Sequence, residues 1–154
     1  MKIFEKVDII TVEAADQLAE QILLCSPEST VVVVLTFFCV EFFPLAFKDN
    51  FAVSSETMRT KIFCAYKKAL TALRHNQSTY SLIKSNPKYG EMFNVTYGGI
   101  LIPAKDTLNF DWENGSFFVY SGSIGVCCTD TILDHEIAIK GLKKWAQGTK
   151  FFKC

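Results

Sequence analysis

The sequence predicts an α+β fold, a mostly antiparallel sheet flanked by helices, in a single domain spanning residues 1–154. Three observations predict it. The chain of 154 residues has the length of one domain with one sizeable core. Its elements run helix, two strands, helix, strands, helix, with short turns between adjacent strands, which favours antiparallel pairing. The run Val31 to Phe38 is continuously apolar and rich in β-branched residues, the pattern of a central strand covered on both faces.

The elements follow in order. Thr11 to Leu24 reads as a helix capped by Thr11, with Glu13 at the positive end of its dipole and Ala15, Leu18, Ala19 and Ile22 along one face. Ser26-Pro27-Glu28-Ser29 breaks the chain before the central strand. A second extended run, Glu41 to Phe47, contains Pro44, which has no N–H to donate; an edge position or a bulge is expected there. The longest helix begins at Ser54 or Ser55 and runs to about His75, with Met58, Ile62, Ala65, Ala69 and Leu73 on one stripe. Lys61, Lys67, Lys68 and Arg74 are expected on its solvated face rather than in a phosphate-binding patch.

Thr79 to Ser85 reads as a short helix ending at Asn86-Pro87, and Lys88 to Tyr97 as irregular chain. Ile100 to Ile102 is a short strand. Residues 110–120 read as a hairpin turning at Asn114-Gly115, where the turn needs positive φ angles. Ser123 to Cys128 extends as a strand. A closing helix, capped by Thr129, Asp130 or Thr131, uses Ile132, Ile137, Ala138, Leu142 and Trp145.

Composition narrows the function classes. The 16 Lys and Arg balance the 16 Asp and Glu, so the basic surplus that drives nucleic-acid binding is missing. The N-terminus lacks the apolar core of a secretory signal, and the run Val31 to Val40 is too short to span a bilayer. A cytoplasmic chain free of the membrane is expected. The 14 Phe exceed what a small monomer needs, which points to rings shared between a core and a homo-oligomer interface.

The six cysteines make no CxxC pair and no zinc spacing, so free thiols are expected and no metal site is assigned. Cys127 and Cys128 should point to opposite faces of a strand. His75, at a helix end, and His135, between Asp134 and Glu136, are the only imidazoles. Acids near a helix N-terminus are stabilising without any catalysis. No serine elbow, phosphate loop or dinucleotide fingerprint occurs, and no catalytic residue is identified.

The stretch Gly122-Ser-Ile-Gly-Val-Cys-Cys-Thr-Asp-Thr-Ile-Leu-Asp134-His-Glu-Ile-Ala-Ile-Lys-Gly141-Leu142 resembles the end of the haem-degrading-domain family, the GlcG-like and HbpS-like proteins. Those proteins read Gly-small-Ile-Gly-Val, a small-residue turn, an Asp followed by Glu-Ile-Ala, and a Gly-Leu pair. Weaker echoes fall in order at Thr11 to Ala15, at Lys61 and Ala65, at Thr79 to Leu82, and at Gly98-Gly99. The chain departs from the family in having Phe37-Phe38-Cys39-Val40-Glu41 between the early strands and Cys127-Cys128-Thr129-Asp130 after the Ile-Gly-Val strand, and in extra residues between Gly99 and Gly122.

The resemblance implies a profilin-like fold, assembly into homo-oligomers, and binding of haem or a corrinoid, with weak haem degradation in some members. Under that reading the cofactor-binding candidates are His75, His135, Lys61 and Thr79, with a histidine or a cysteine as the axial contact. No iron ligand of the family carries over to a named position. The alternative is a non-catalytic oligomeric accessory protein that keeps the fold while Phe37, Phe38 and their neighbours fill the pocket.

Overall fold

The computed structural model describes residues 12–27, 30–38, 41–50, 55–103, 120–128 and 131–148. Helix α1 (Val12–Leu24) leads into strands β1 (Thr30–Phe38) and β2 (Glu41–Asn50). Helices α2 (Ser55–His75), α3 (Thr79–Ser85) and α4 (Lys88–Met92) follow, then β3 (Gly99–Pro103), β4 (Tyr120–Cys127) and α5 (Thr131–Gly148). The four strands form one sheet in the order β2-β1-β4-β3, antiparallel at every pairing. The α+β class expected from the sequence is the one observed. The Thr11 cap and the hairpin around Asn114-Gly115 lie outside the described residues.

The valine run behaves as its composition requires. Val32 and Val34 point into a cluster with Ala15, Leu18 and Ile22 of α1 and Ile137, Ala138 and Leu142 of α5. Val31, Val33 and Leu35 point the other way, against Ala65, Ala69, Ala72 and Leu73 of α2. The sheet is therefore a middle layer between α1 with α5 and α2, and β1 is apolar on both faces for that reason. Cys127 joins the α2 side and Cys128 the α1–α5 side, the opposition expected of neighbours in an extended segment. Pro44 lies on an edge strand, opposite Leu35, where the register slips by one residue.

Three expectations are corrected. Residues 88–92 are helical, not irregular, because Asn86 organises the start: its Oδ1 accepts from the Lys88 amide at 3.1 Å and its carbonyl from the Tyr89 amide at 2.9 Å. Lys68 is not on the solvated face of α2 but is 1% exposed. Ile132 is not core; it is 61% exposed.

Gly125 sets the distance between α2 and the sheet. A methyl group there would overlap the Ala65 carbonyl and come within 2.9 Å of Ala69 N, so only glycine lets the helix backbone lie directly on β4. Gly98 carries φ of +120°, and its carbonyl accepts from the Val126 amide at 3.0 Å. This left-handed residue turns the chain into β3 beneath Lys68 and Asp134.

Candidate functional site

Lys68 and Asp134 are the buried charges that organise this end of the molecule. The Lys68 ammonium donates to Asp134 Oδ2 at 2.6 Å and to the Val126 carbonyl at 2.8 Å. Asp134 Oδ1 accepts from the Cys128 amide at 2.8 Å. Each side chain is 1% exposed. The pair crosses the end of the sheet, tying α2 to α5, and it holds the backbone of β4 on both sides of Cys127. A buried pair of this kind survives desolvation only when its remaining hydrogen-bonding capacity is used, and here the backbone of β4 uses much of it.

Asp134 thereby fixes the first turn of α5, and the next residue is His135. The imidazole is 8% exposed and stacks on Tyr80 of α3, with ring centroids 4.5 Å apart and planes at 15°. Tyr80 also meets Tyr97 at 5.1 Å, and the Lys84 ammonium lies 5.4 Å from the Tyr80 ring centre. His135 Nδ1 is buried without a hydrogen-bond partner among the described residues. Burial pushes the imidazole down from its ordinary 6.5 to about 4, so it is neutral at pH 7.

His135 and Tyr80 line a cleft of about 510 Å³ together with Ile132, Glu136, Ile139, Lys140 and Lys143. Its lining is aromatic and aliphatic, with two lysines and one glutamate. Such a cleft accepts an apolar, planar group whose anionic substituents sit at the lysines and away from Glu136, with the neutral imidazole as part of its wall.

A consequence for stability follows from the neutral state. The unfolded chain binds a proton at His135 below 6.5, and the folded chain resists it until about 4. Stability contributed by the neutral ring is complete above 6.5 and is lost as pH falls towards 4. A displacement from 6.5 to about 4 corresponds to about 3 kcal/mol. Urea unfolding of wild type and His135→Gln at pH 7.5 and at pH 4.5 checks it: the wild type is expected to lose more stability than the variant, and equal losses would contradict it.

The other candidate residues lie elsewhere or act differently. Thr79 is fully buried beside Tyr80, and its hydroxyl oxygen accepts from the Gly99 amide at 3.0 Å, which anchors α3 to β3. His75 is exposed at the end of α2 and packs on Phe93 at 4.6 Å, in an aromatic cluster with Tyr89 rather than with His135. Lys61 is half-buried on α2 and lines neither this cleft nor the one described below. Phe37 and Phe38 fall among residues whose side chains lie outside the description. Sequence reasoning missed the role of Tyr80 as the stacking partner and the pairing of Lys68 with Asp134. The available signal was a charge inside each apolar stripe: Lys68 lies three residues from Ala65 and four from Ala72, and Asp134 lies three and four from Ile137 and Ala138.

These features define an antiparallel α+β domain with helices on both sheet faces and a ligand-sized cleft beside the closing helix. Among solved structures, the chain superposes on HbpS with a TM-score of 0.65 at 19% identity, covering 94% of this chain and 95% of that one. A double mutant of HbpS from Streptomyces reticuli gives 0.64 at 19% identity over 90% and 88% of the two chains. The Ybr137w protein gives 0.62 at 18% identity over 92% and 82%. The fold is therefore HbpS-like, as the Gly122–Leu142 signature implied. No protein-family model matches the sequence, and no curated protein matches it. Among the described residues, no helix is long and apolar enough to cross a membrane, and no group of three or more His, Cys, Asp or Glu is placed to hold a metal ion.

Proposed function

We propose that this protein binds a planar tetrapyrrole, haem in the first instance, in the cleft between α5 and α3, with His135 as the nitrogen contact to the metal. The observation that carries the reading is the buried, neutral His135 imidazole, whose Nδ1 has no hydrogen-bond partner among the described residues, on an aromatic and aliphatic wall. Burying a polar atom without a partner is costly, and a metal-bound macrocycle is one occupant that suits such a wall. Tyr80 and Ile139 would cover the ring, and Lys140 and Lys143 would face its carboxylates. Haem, when bound, supplies a redox-active iron; the chain contributes orientation, an apolar environment and a donor whose neutrality is set by burial.

The HbpS-like fold supports the ligand class, and a corrinoid is the second tetrapyrrole that the sequence resemblance implies. The protein is read as a single cytoplasmic domain acting as a homo-oligomer. Buried, reduced Cys127 and Cys128 fit a reducing compartment, and the exposed Leu24 and Met92 fit surfaces shared between copies. Any weak haem-degrading activity would follow from binding and is tested after it.

Hemin titrated into the purified protein is expected to give a saturable Soret shift. His135→Ala should weaken binding by about tenfold or more, a loss of about 1.4 kcal/mol or above. His75→Ala should leave the titration unchanged. A saturable shift indifferent to His135 would reject the assigned contact. A protein that remains oligomeric and shows no shift would favour the accessory, non-binding alternative.

A further inference from the structure

On the opposite face of the sheet, a second cleft of about 460 Å³ lies between α2 and the α4–β3 connection, lined by Thr60, Cys64, Lys67, Lys68, Asn94 and Thr96 among others. Its lining shares no residue with the His135 cleft. Cys64 is half-buried in its wall, and behind it, on β4, sits the buried Cys127, a member of the α2–β4 side-chain cluster against which Cys64 packs; the Cys127 thiol also lies 3.9 Å from the Cys128 carbonyl. The close approach of α2 to β4 at Gly125 brings the two cysteines together from 63 residues apart in sequence (127 − 64). Both are free.

We propose that Cys64 and Cys127 form a thiol–disulfide exchange site that reacts with anionic low-molecular-weight disulfides of the glutathione type. Cys64, the accessible member, is the attacking sulfur, and Cys127 is the resolving one. The proposal does not depend on tetrapyrrole binding.

The charges around Cys64 favour its ionised form. The hydrogen bond from Cys127 is the largest influence; Lys68 and Lys67 act in the same direction, while burial and Asp134 oppose them, and the thiol falls from 9.0 to about 6. Cys127 is held protonated, first by its hydrogen bond to Cys64 and then by burial and the neighbouring negative sulfur. Those influences give the two steps an order. The Cys64 thiolate bonds to one sulfur of the disulfide RSSR, whose S–S bond breaks and releases RS⁻. Cys64 is then neutral, the hold on the Cys127 proton is relieved, and that proton passes through solvent to RS⁻. The Cys127 sulfur bonds to Cys64 and expels the second RS⁻, which takes up the proton that Cys64 had given to solvent. Two protein thiols lose two electrons and two protons, and RSSR becomes two RSH. Lys67, which is exposed on the cleft wall, gives the anionic reagent its preference.

Reduced full-length protein treated with glutathione disulfide, then mapped by peptide mass spectrometry, tests the assignment. Wild type should yield a Cys64–Cys127 disulfide, Cys127→Ala should retain glutathione on Cys64, and Cys64→Ala should leave Cys127 reduced. Cys127→Ser provides a second variant should the alanine pack poorly. Independently of any variant, alkylation of Cys64 by iodoacetamide in the folded wild type should rise with a midpoint near pH 6. At pH 6 it should be on the order of tenfold faster than for the same cysteine in urea, because the gain in thiolate outweighs its lower intrinsic nucleophilicity. Equal folded and unfolded pH profiles, or oxidation that pairs other cysteines and leaves Cys64 and Cys127 reduced, would overturn the proposal.

Discussion

Asp134→Ala is expected to lower the free energy of unfolding by about 3–5 kcal/mol, because it removes one member of a buried charge pair and leaves the other. The Lys68 ammonium would keep only the Val126 carbonyl among its two observed acceptors, and the Cys128 amide would lose its carboxylate. Neither group can reach water easily in a site 1% exposed. Lys68→Ala should cost a similar amount, by orphaning the carboxylate instead. The double variant Lys68→Met/Asp134→Leu should recover much of the loss, since replacing both charges by apolar groups of similar length removes the desolvation problem. Urea midpoints of the two single variants and the double variant decide it. Additive losses in the double variant would mean that the pair is not the unit of stability.

Gly125→Ala is expected to cost about 3 kcal/mol, at the upper end of overpacking effects. The obstacle is the backbone of α2 at Ala65 and Ala69, not the movable end of a side chain, so the helix must retreat from the sheet. A loss of that size lowers the melting temperature by about 10 °C in a chain of this length. Gly90→Ala is the matched control. A methyl group there meets only ordinary van der Waals neighbours, the closest 3.5 Å away, and its melting temperature should stay near that of the wild type. Calorimetry of both variants separates a specific close approach from a general intolerance of substitution. The retreat of α2 should also separate Cys64 from Cys127.

Most of the architecture was legible because local signals and tertiary demands agree. The apolar face of α1, the both-sided valine strand and the proline on β2 each have one low-energy placement in a layered fold. The stretch Gly122–Leu142 carried the family resemblance, and the structure shows a physical reason for two of its positions. Gly125 admits a helix backbone, and Asp134 locks α5 to β4. The site was less legible. Lys68 reads as a solvated lysine in a periodicity count, because its partner is 66 residues away and pairing at that distance leaves no local pattern. His135 was identified as a candidate, but its stacking on Tyr80 depends on how α3 docks against α5. The thiol pair escaped for the same reason: Cys64 and Cys127 have no short spacing, and only the helix–strand contact at Gly125 unites them. Helix α4 was missed because five residues carry too little periodicity to be seen.

The measurement that bears most directly on tetrapyrrole binding is an amide NMR titration of isotope-labelled protein with gallium protoporphyrin, a diamagnetic stand-in for haem. Shifts concentrated at Tyr80 and along residues 132–143 are expected, with Thr60, Cys64 and Asn94 in the second cleft unmoved. Shifts centred on that second cleft, or none at saturating porphyrin, would contradict the placement of the ligand beside His135.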